Sequence, residues 1–319
     1  MLVNRLSSGG IIATYQCQAA CGHCLYGCSP SAEIEYMTAE IAEKVCAKLK
    51  KLGLRSLHIG GGEPFLNVDR LCELIKIIHS FGINIDYIET NAAWINKKDD
   101  KEKLLRVLDA GADCIMVSAD PFHIEFIPFW KPLYLINLLR ELNIDYFVWQ
   151  DRYLSFLSRL DLYKTYTNDE INKIAGYDII NECVDEYGMR FNGRALNLIR
   201  RTRKKRSYTE YLSEKPCNEL FNTGHFHVDP FLRYVPPGCT GMGILTDDLD
   251  KELDYENYPI VNRLLTGGLQ GLYELAREKG FKRAEYVSKC EFCFEMRKYL
   301  SDKEKYPDLE PYLFYKQNY

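Results

Sequence analysis

The chain has 319 residues, 46% of them hydrophobic, enough to bury one large core or one core plus a small appended domain. A formal net charge of −4 gives no general attraction to nucleic acid or anionic membrane, and no apolar run is long enough to span a bilayer. Twelve cysteines without anything that reads as a secretory signal point to metal rather than to disulfides, and so to a soluble cytoplasmic chain.

Residues 9–15 read as a short buried strand that delivers a cysteine-rich loop, Cys17 to Cys28, from its C-terminal end. Ile41, Val45, Leu49 and Leu52 recur at helical spacing over 38–52, and Gly53 stops that helix. Strands are expected at 56–59, 83–89, 114–118 and 146–149, with helices at 67–80, 101–110 and 132–142 between them. After an aromatic-rich stretch, 169–187 reads as helix and 189–191 as a sixth strand. Six strands alternating with helices give an α/β fold with a parallel sheet and right-handed crossovers. Pattern alone leaves open whether that sheet curls into a partial barrel or stays an open doubly wound sheet. The alternation stops after 204, which divides the chain into 1–204 and 205–319.

The loop contains Cys17, Cys21 and Cys24 in C-x3-C-x2-C spacing. A [4Fe-4S] cluster takes four thiolates, so three leave one iron open to a non-protein ligand. Cys28 is a fourth nearby thiol, and on spacing alone a four-cysteine zinc site or a fully ligated electron-transfer cluster is the competing reading. Further motifs fall at the C-terminal ends of the expected strands. They are Gly60-Gly61-Gly62-Glu63-Pro64 after the second, Thr90-Asn91 after the third and Ser118-Ala119-Asp120 with His123 after the fourth.

Cys17, Cys21 and Cys24, with His23 before the third, resemble the signature of the radical S-adenosylmethionine (radical SAM) enzymes. The resemblance implies a (β/α)6 partial TIM barrel, a [4Fe-4S] cluster whose open iron binds S-adenosylmethionine, and an external electron donor such as flavodoxin or ferredoxin. An oxygen-sensitive cluster implies an anaerobic or low-oxygen setting. Gly61, Gly62 and Glu63 are similar to the family's Gly-Gly-Glu-Pro element, and Asn91 to a Thr-Asn-Gly element that here has Ala92 in place of glycine. Ser118 and Asp120 match a Ser-x-Asp element. All six are thereby implied in cofactor binding, as is Arg194 in Gly193-Arg194-Ala195.

In the tail, Cys217, Cys239, Cys290 and Cys293 supply a second set of four thiols. Residues 229–239 resemble the hairpin of SPASM and twitch domains, small C-terminal domains that hold an auxiliary [4Fe-4S] cluster. A structural zinc built from the same sulfurs is the alternative. The helix expected at 264–279 spans the domain between the ligand pairs.

Together these segments are similar to radical SAM peptide-modifying enzymes, peptide epimerases among them. An epimerase needs a hydrogen donor; Thr240 stands where relatives carry a thiol, which leaves Cys28 and Cys183 as candidates. Oxidation of a small-molecule alcohol or sugar is the second reading, and a non-catalytic iron-sulfur electron carrier the third. The basic run 200–206 reads as a solvated helix end, and Cys46, Cys72 and Cys114 as core residues.

Overall fold

A computed structural model of the protein describes all residues except 1–2, 33–35, 187–190, 216, 283 and 317–319. Five parallel strands follow one another in sequence order: β1 (Ser8–Thr14), β2 (Ser56–Gly61), β3 (Asn84–Thr90), β4 (Cys114–Ser118) and β5 (Asp145–Trp149). Four helices cross between them: α1 (Ala39–Lys51), α2 (Val68–Ser80), α3 (Asp100–Asp109) and α4 (Trp130–Glu141). The expected α/β class and parallel sheet are therefore present.

Helix starts follow from local chemistry. The side chain of Thr38 accepts from the Ile41 N–H at the start of α1, and Asn67 accepts from Arg70 at the start of α2. Each helix then buries one stripe: Ala42, Val45, Cys46 and Leu49 on α1, and Leu71, Cys72, Leu74, Ile75 and Ile78 on α2. Cys46 and Cys72 thus serve as core residues, as expected, while Cys114 is only half-buried.

The sheet continues differently from the sequence expectation. The sixth strand expected at 189–191 falls mostly outside the described residues. The strand that pairs with the free side of β1 comes instead from the tail: β6 (Gly224–Val228) runs parallel to β1, and β7 (Arg233–Val235) and β8 (Ile244–Leu245) follow antiparallel. The close β1–β6 approach needs Gly9, where a Cβ would lie 2.7 Å from the Phe226 ring and carbonyl. The two parts of the chain, divided after 204, therefore share one sheet. The helix expected over 169–187 is two helices, α5 (Asn168–Ala175) and α6 (Ile179–Glu186), because Gly176 adopts a left-handed cap between them.

α7 (Ala195–Thr202) leads to the tail, whose long helices are α8 (Pro259–Glu278), kinked at Gly268, and α9 (Lys289–Lys303). The basic run is exposed from 201 to 206, as expected of a solvated helix end, but its first residue is tied down: Arg200 binds Glu291 (2.6 Å) and Glu295 on α9, while the exposed Arg203 pairs with Asp185 (3.0 Å). Among the described residues no helix is long and apolar enough to cross a membrane.

Candidate active site and auxiliary cysteine site

The cysteine loop leaves the C-terminal end of β1 and is closed at its neck by Cys17 N–H donating to Ser29 O (3.2 Å) and Ser29 N–H to Tyr15 O (3.4 Å). The end of β2 lies directly against it. Gly62 N–H donates to Thr14 O (2.8 Å) and Glu63 N–H to Gln16 O (2.9 Å). A Cβ on Gly62 would stand 1.9 Å from Gln16 O, so only glycine lets these backbones meet. A cavity of about 240 Å³ opens there, lined by Cys17, Cys21, Cys24 and Cys28 on one side and by Gly61, Gly62, Glu89, Asn91, Ser118 and His123 on others.

Asn91 reaches the loop itself: its Nδ2 donates to Cys17 Sγ at 3.2 Å, and the Ala19 N–H approaches the same sulfur at 3.4 Å. Burial pushes the Cys17 thiol up to about 12 and the Cys21 thiol well above its ordinary value. Thiols so placed ionise when a cation binds them, and Cys17 already has N–H donors aimed at it. The Cys28 thiol is hydrogen-bonded to Cys24, which holds the Cys24 thiol down and the Cys28 thiol up. These features fit a cluster on Cys17, Cys21 and Cys24.

Three of the sequence candidates stand behind the cavity wall. Glu63 is fully buried, and its carboxylate accepts from Phe65 N–H (3.0 Å), Thr90 Oγ1 (2.9 Å) and Asn91 N–H (2.8 Å). It thereby ties β2 to the end of β3 and sets the position of Asn91. Burial raises it to about 7. Asp120 accepts from Phe122 N–H (2.9 Å) and His123 N–H (3.1 Å) through Oδ1, and its Oδ2 meets His123 Nδ1 at 2.8 Å, orienting that imidazole into the cavity. Arg194 donates from Nε to Cys21 O (3.1 Å) and from its other end to Cys28 O, clamping the cysteine loop. Of the two candidate thiols, Cys28 lines the cavity, whereas Cys183 is buried on α6 beside Tyr153.

No local motif marks Glu89 and Tyr26, which line the cavity, or the two histidines that stand behind Tyr26. Glu89 lies on β3 and is pushed up to about 7 by burial. Tyr26 Oη pairs with His227 Nδ1 (2.8 Å), whose Nε2 pairs with His58 Nε2 (2.9 Å). Burial pushes both imidazoles down, His58 to about 3, which keeps them neutral. The signal available for the histidines was the alternation of polar residues along β2 and β6; Glu89 falls out of step with Asn84 and Asp86 on β3.

Residues 11–149 match the radical SAM superfamily. This segment is a radical SAM domain. Such a domain works with a [4Fe-4S] cluster and S-adenosylmethionine, and the matched segment includes the cavity-lining Cys17, Cys21 and Cys24. The chain is 27% identical over 112 residues to the "Putative peptide biosynthesis protein YydG" of Bacillus subtilis (strain 168), covering 35% of each chain. It is 30% identical over 115 residues to a "Probable GTP 3',8-cyclase" of Methanocaldococcus jannaschii, covering 36% of this chain and 37% of that one. The matched region thus spans about a third of the length of these curated relatives. Among solved structures it is similar to "Native anSMEcpe with bound AdoMet" (TM-score 0.44, 14% identity, 76% of this chain and 78% of the other). It is also similar to "BtrN in complex with AdoMet and 2-DOIA" (TM-score 0.43, 12% identity, 83% and 89%).

A second cavity, of about 70 Å³, lies in the tail beyond the radical SAM domain and is lined by Cys217, Cys239, Cys290 and Cys293 together with Asn192, Leu264, Gly268 and Arg297. Residues far apart in sequence converge because the α8 kink at Gly268 and the first turn of α9 close over the loop that carries Cys239. Asn192 Nδ2 holds that loop through Gly238 O (3.1 Å) and Thr240 O (3.2 Å). Two residues later Arg194 clamps the radical SAM loop, so one short segment braces both cysteine sites.

Proposed function

We propose that this radical SAM enzyme removes a hydrogen atom from a residue of a peptide or protein and so modifies it by oxidation, crosslinking or epimerisation. The observation that carries this reading is the single cavity in which Cys17, Cys21 and Cys24 face Gly61, Gly62, Asn91 and Ser118 at the strand ends. When bound, the cluster and S-adenosylmethionine supply a hydrogen-abstracting radical there, and an auxiliary [4Fe-4S] cluster on Cys217, Cys239, Cys290 and Cys293 supplies a site that takes or returns one electron.

The chain's own groups have distinct tasks in this reading. Gly61, Gly62, Asn91 and Ser118 line the cofactor's place, while Glu63, Asp120 and Arg194 fix the elements that carry it. His123, oriented by Asp120, is available to hold a proton at Nε2. Cys28 is a thiol on the cavity wall that can return a hydrogen atom to a substrate radical, leaving a thiyl that one electron and one proton restore. We assign the radical chemistry to residues 1–204 and the auxiliary site to 205–319, with reduction by a flavodoxin or ferredoxin in a low-oxygen cytoplasm.

A surface feature supports the peptide reading. The cavity lining includes Trp149, and Phe147 stands two residues before it on β5; both are more than a third exposed and offer aromatic surface on which an extended chain can rest. The relative named for peptide biosynthesis agrees with a peptide substrate.

The test is anaerobic turnover of the reconstituted enzyme with S-adenosylmethionine, dithionite and a pool of synthetic random-sequence decapeptides in deuterium oxide. One deuteron gained at a Cα marks epimerisation, and loss of two hydrogens marks oxidation or crosslinking; either is expected with wild type and not with Cys24→Ala. Turnover confined to a parallel panel of polyols would replace the peptide reading with alcohol oxidation.

A further inference from the structure

Arg297 lies on α9 four residues after Cys293, which puts both side chains on one face of the helix, and it lines the tail cavity. It is only 2% exposed. A guanidinium is always charged, and burying one is costly unless an anion faces it. None does among the described protein groups. One end donates to Thr240 O (2.8 Å) and Tyr315 Oη (2.7 Å), the other approaches Asn192 Oδ1 at 3.5 Å, and Nε has no acceptor. Its oxygen acceptors are a carbonyl, a phenol and an amide, all neutral. Cys293 also hydrogen-bonds it, and Cys239 lies close by.

The guanidinium is also fixed in place. Tyr315 Oη donates onward to Gly241 O (2.6 Å), and Asn192 grips the same loop at Gly238 and Thr240, so Arg297 is pinned to the loop carrying Cys239 from both sides. A positive charge built this rigidly into a cysteine-lined cavity is explained if the cavity receives a strong anion. A four-thiolate iron-sulfur cluster is one, and it gains a further negative charge when reduced.

We propose that Arg297 is the built-in counter-charge of the auxiliary cluster and raises its reduction potential. This rests on the reading of the four tail cysteines as a cluster site. The cation stabilises the reduced, more negative form more than the oxidised form, so the cluster becomes a better acceptor for the electron that an oxidised substrate must lose. One electron moves in, no proton leaves Arg297, and the electron returns to an external carrier between turnovers.

The test is a redox titration, followed by electron paramagnetic resonance, of the full-length chain carrying Cys17→Ala, Cys21→Ala and Cys24→Ala, so that only the tail cluster is read. Iron, sulfide and zinc are counted in each sample. Arg297→Gln should shift the reduced-to-oxidised ratio at fixed potential at least tenfold toward oxidised, a fall of about 59 mV for one electron. Arg297→Lys, which keeps the charge, should stay near the parent. A loaded cluster whose midpoint is the same with Gln as with Arg overturns the proposal and leaves the cluster reading intact. Zinc, or no metal, in the parent overturns the cluster reading itself. If the Gln variant does not load, the Lys variant decides: a full tenfold fall despite the retained charge refutes the counter-charge, and a parent-like midpoint upholds it.

Discussion

Replacing Gly62 by alanine should damage the radical SAM site through the backbone rather than through any lost side-chain contact. The new Cβ would lie 1.9 Å from Gln16 O, and because the obstacle is backbone next to Cys17, no rotamer change relieves it. Overpacking of this kind costs about 1–3 kcal/mol. Moving the strand end away also breaks the bonds from Gly62 N–H to Thr14 O and from Glu63 N–H to Gln16 O, each contributing about 1 kcal/mol. The sum, about 3–5 kcal/mol, is a large fraction of the 5–15 kcal/mol typical of a folded domain. Urea unfolding of the apo protein, followed by circular dichroism, reads it directly, and cluster loading should fall in parallel. Gly267→Ala is the control: nothing lies within 4 Å of its Cβ, and at such a site alanine stabilises by about 0.4–1 kcal/mol. If Gly62→Ala unfolds within 0.5 kcal/mol of wild type, about the spread of neutral surface changes, the close-approach argument is wrong.

Asn91→Ala removes the hydrogen bond to Cys17 Sγ and should lower the midpoint potential of the radical SAM cluster, measured by redox titration of the chain with Cys17, Cys21 and Cys24 intact; Asn91→Asp should lower it further. Glu63 and Glu89, raised to about 7 by burial, keep protons in the folded state that the unfolded chain releases near 4.5. Their contribution is therefore fully present below about pH 4.5 and lost as pH rises through about 7. Urea midpoints taken from pH 5.5 to 8 should fall more steeply for wild type than for the double variant Glu63→Gln, Glu89→Gln. Cys28→Ser should abolish deuterium return to a peptide Cα while leaving 5'-deoxyadenosine formation measurable. Cys183→Ser, away from the cavity, should leave both unchanged.

The strands β1 to β5 and their helices were legible because their buried faces are apolar at regular spacing, and β4 was read to the residue. The cysteine motif and the glycine turn were legible as short local patterns whose neighbours in sequence are neighbours in space. β6 was not, because Gly224, His225 and His227 interrupt its apolar pattern, and its place beside β1 is fixed by a pairing more than two hundred residues long in sequence. Glu63, Asp120 and Arg194 were legible as important, but their motif positions could not say that the protein's own N–H groups and carbonyls occupy them. Asn192 and Arg297 carry no local pattern; their partners lie 46 and 57 residues away, so only the folded chain reveals them.

Two iron-sulfur sites and S-adenosylmethionine are proposed to work together in this chain. The most direct measurement is 5'-deoxyadenosine released by the anaerobically reconstituted, reduced enzyme, with iron counted on the same sample and Cys24→Ala in parallel. Deoxyadenosine is expected from wild type alone, with about eight irons per chain, as two four-iron clusters require. Filled clusters with no deoxyadenosine would contradict that proposal and make the protein an electron carrier.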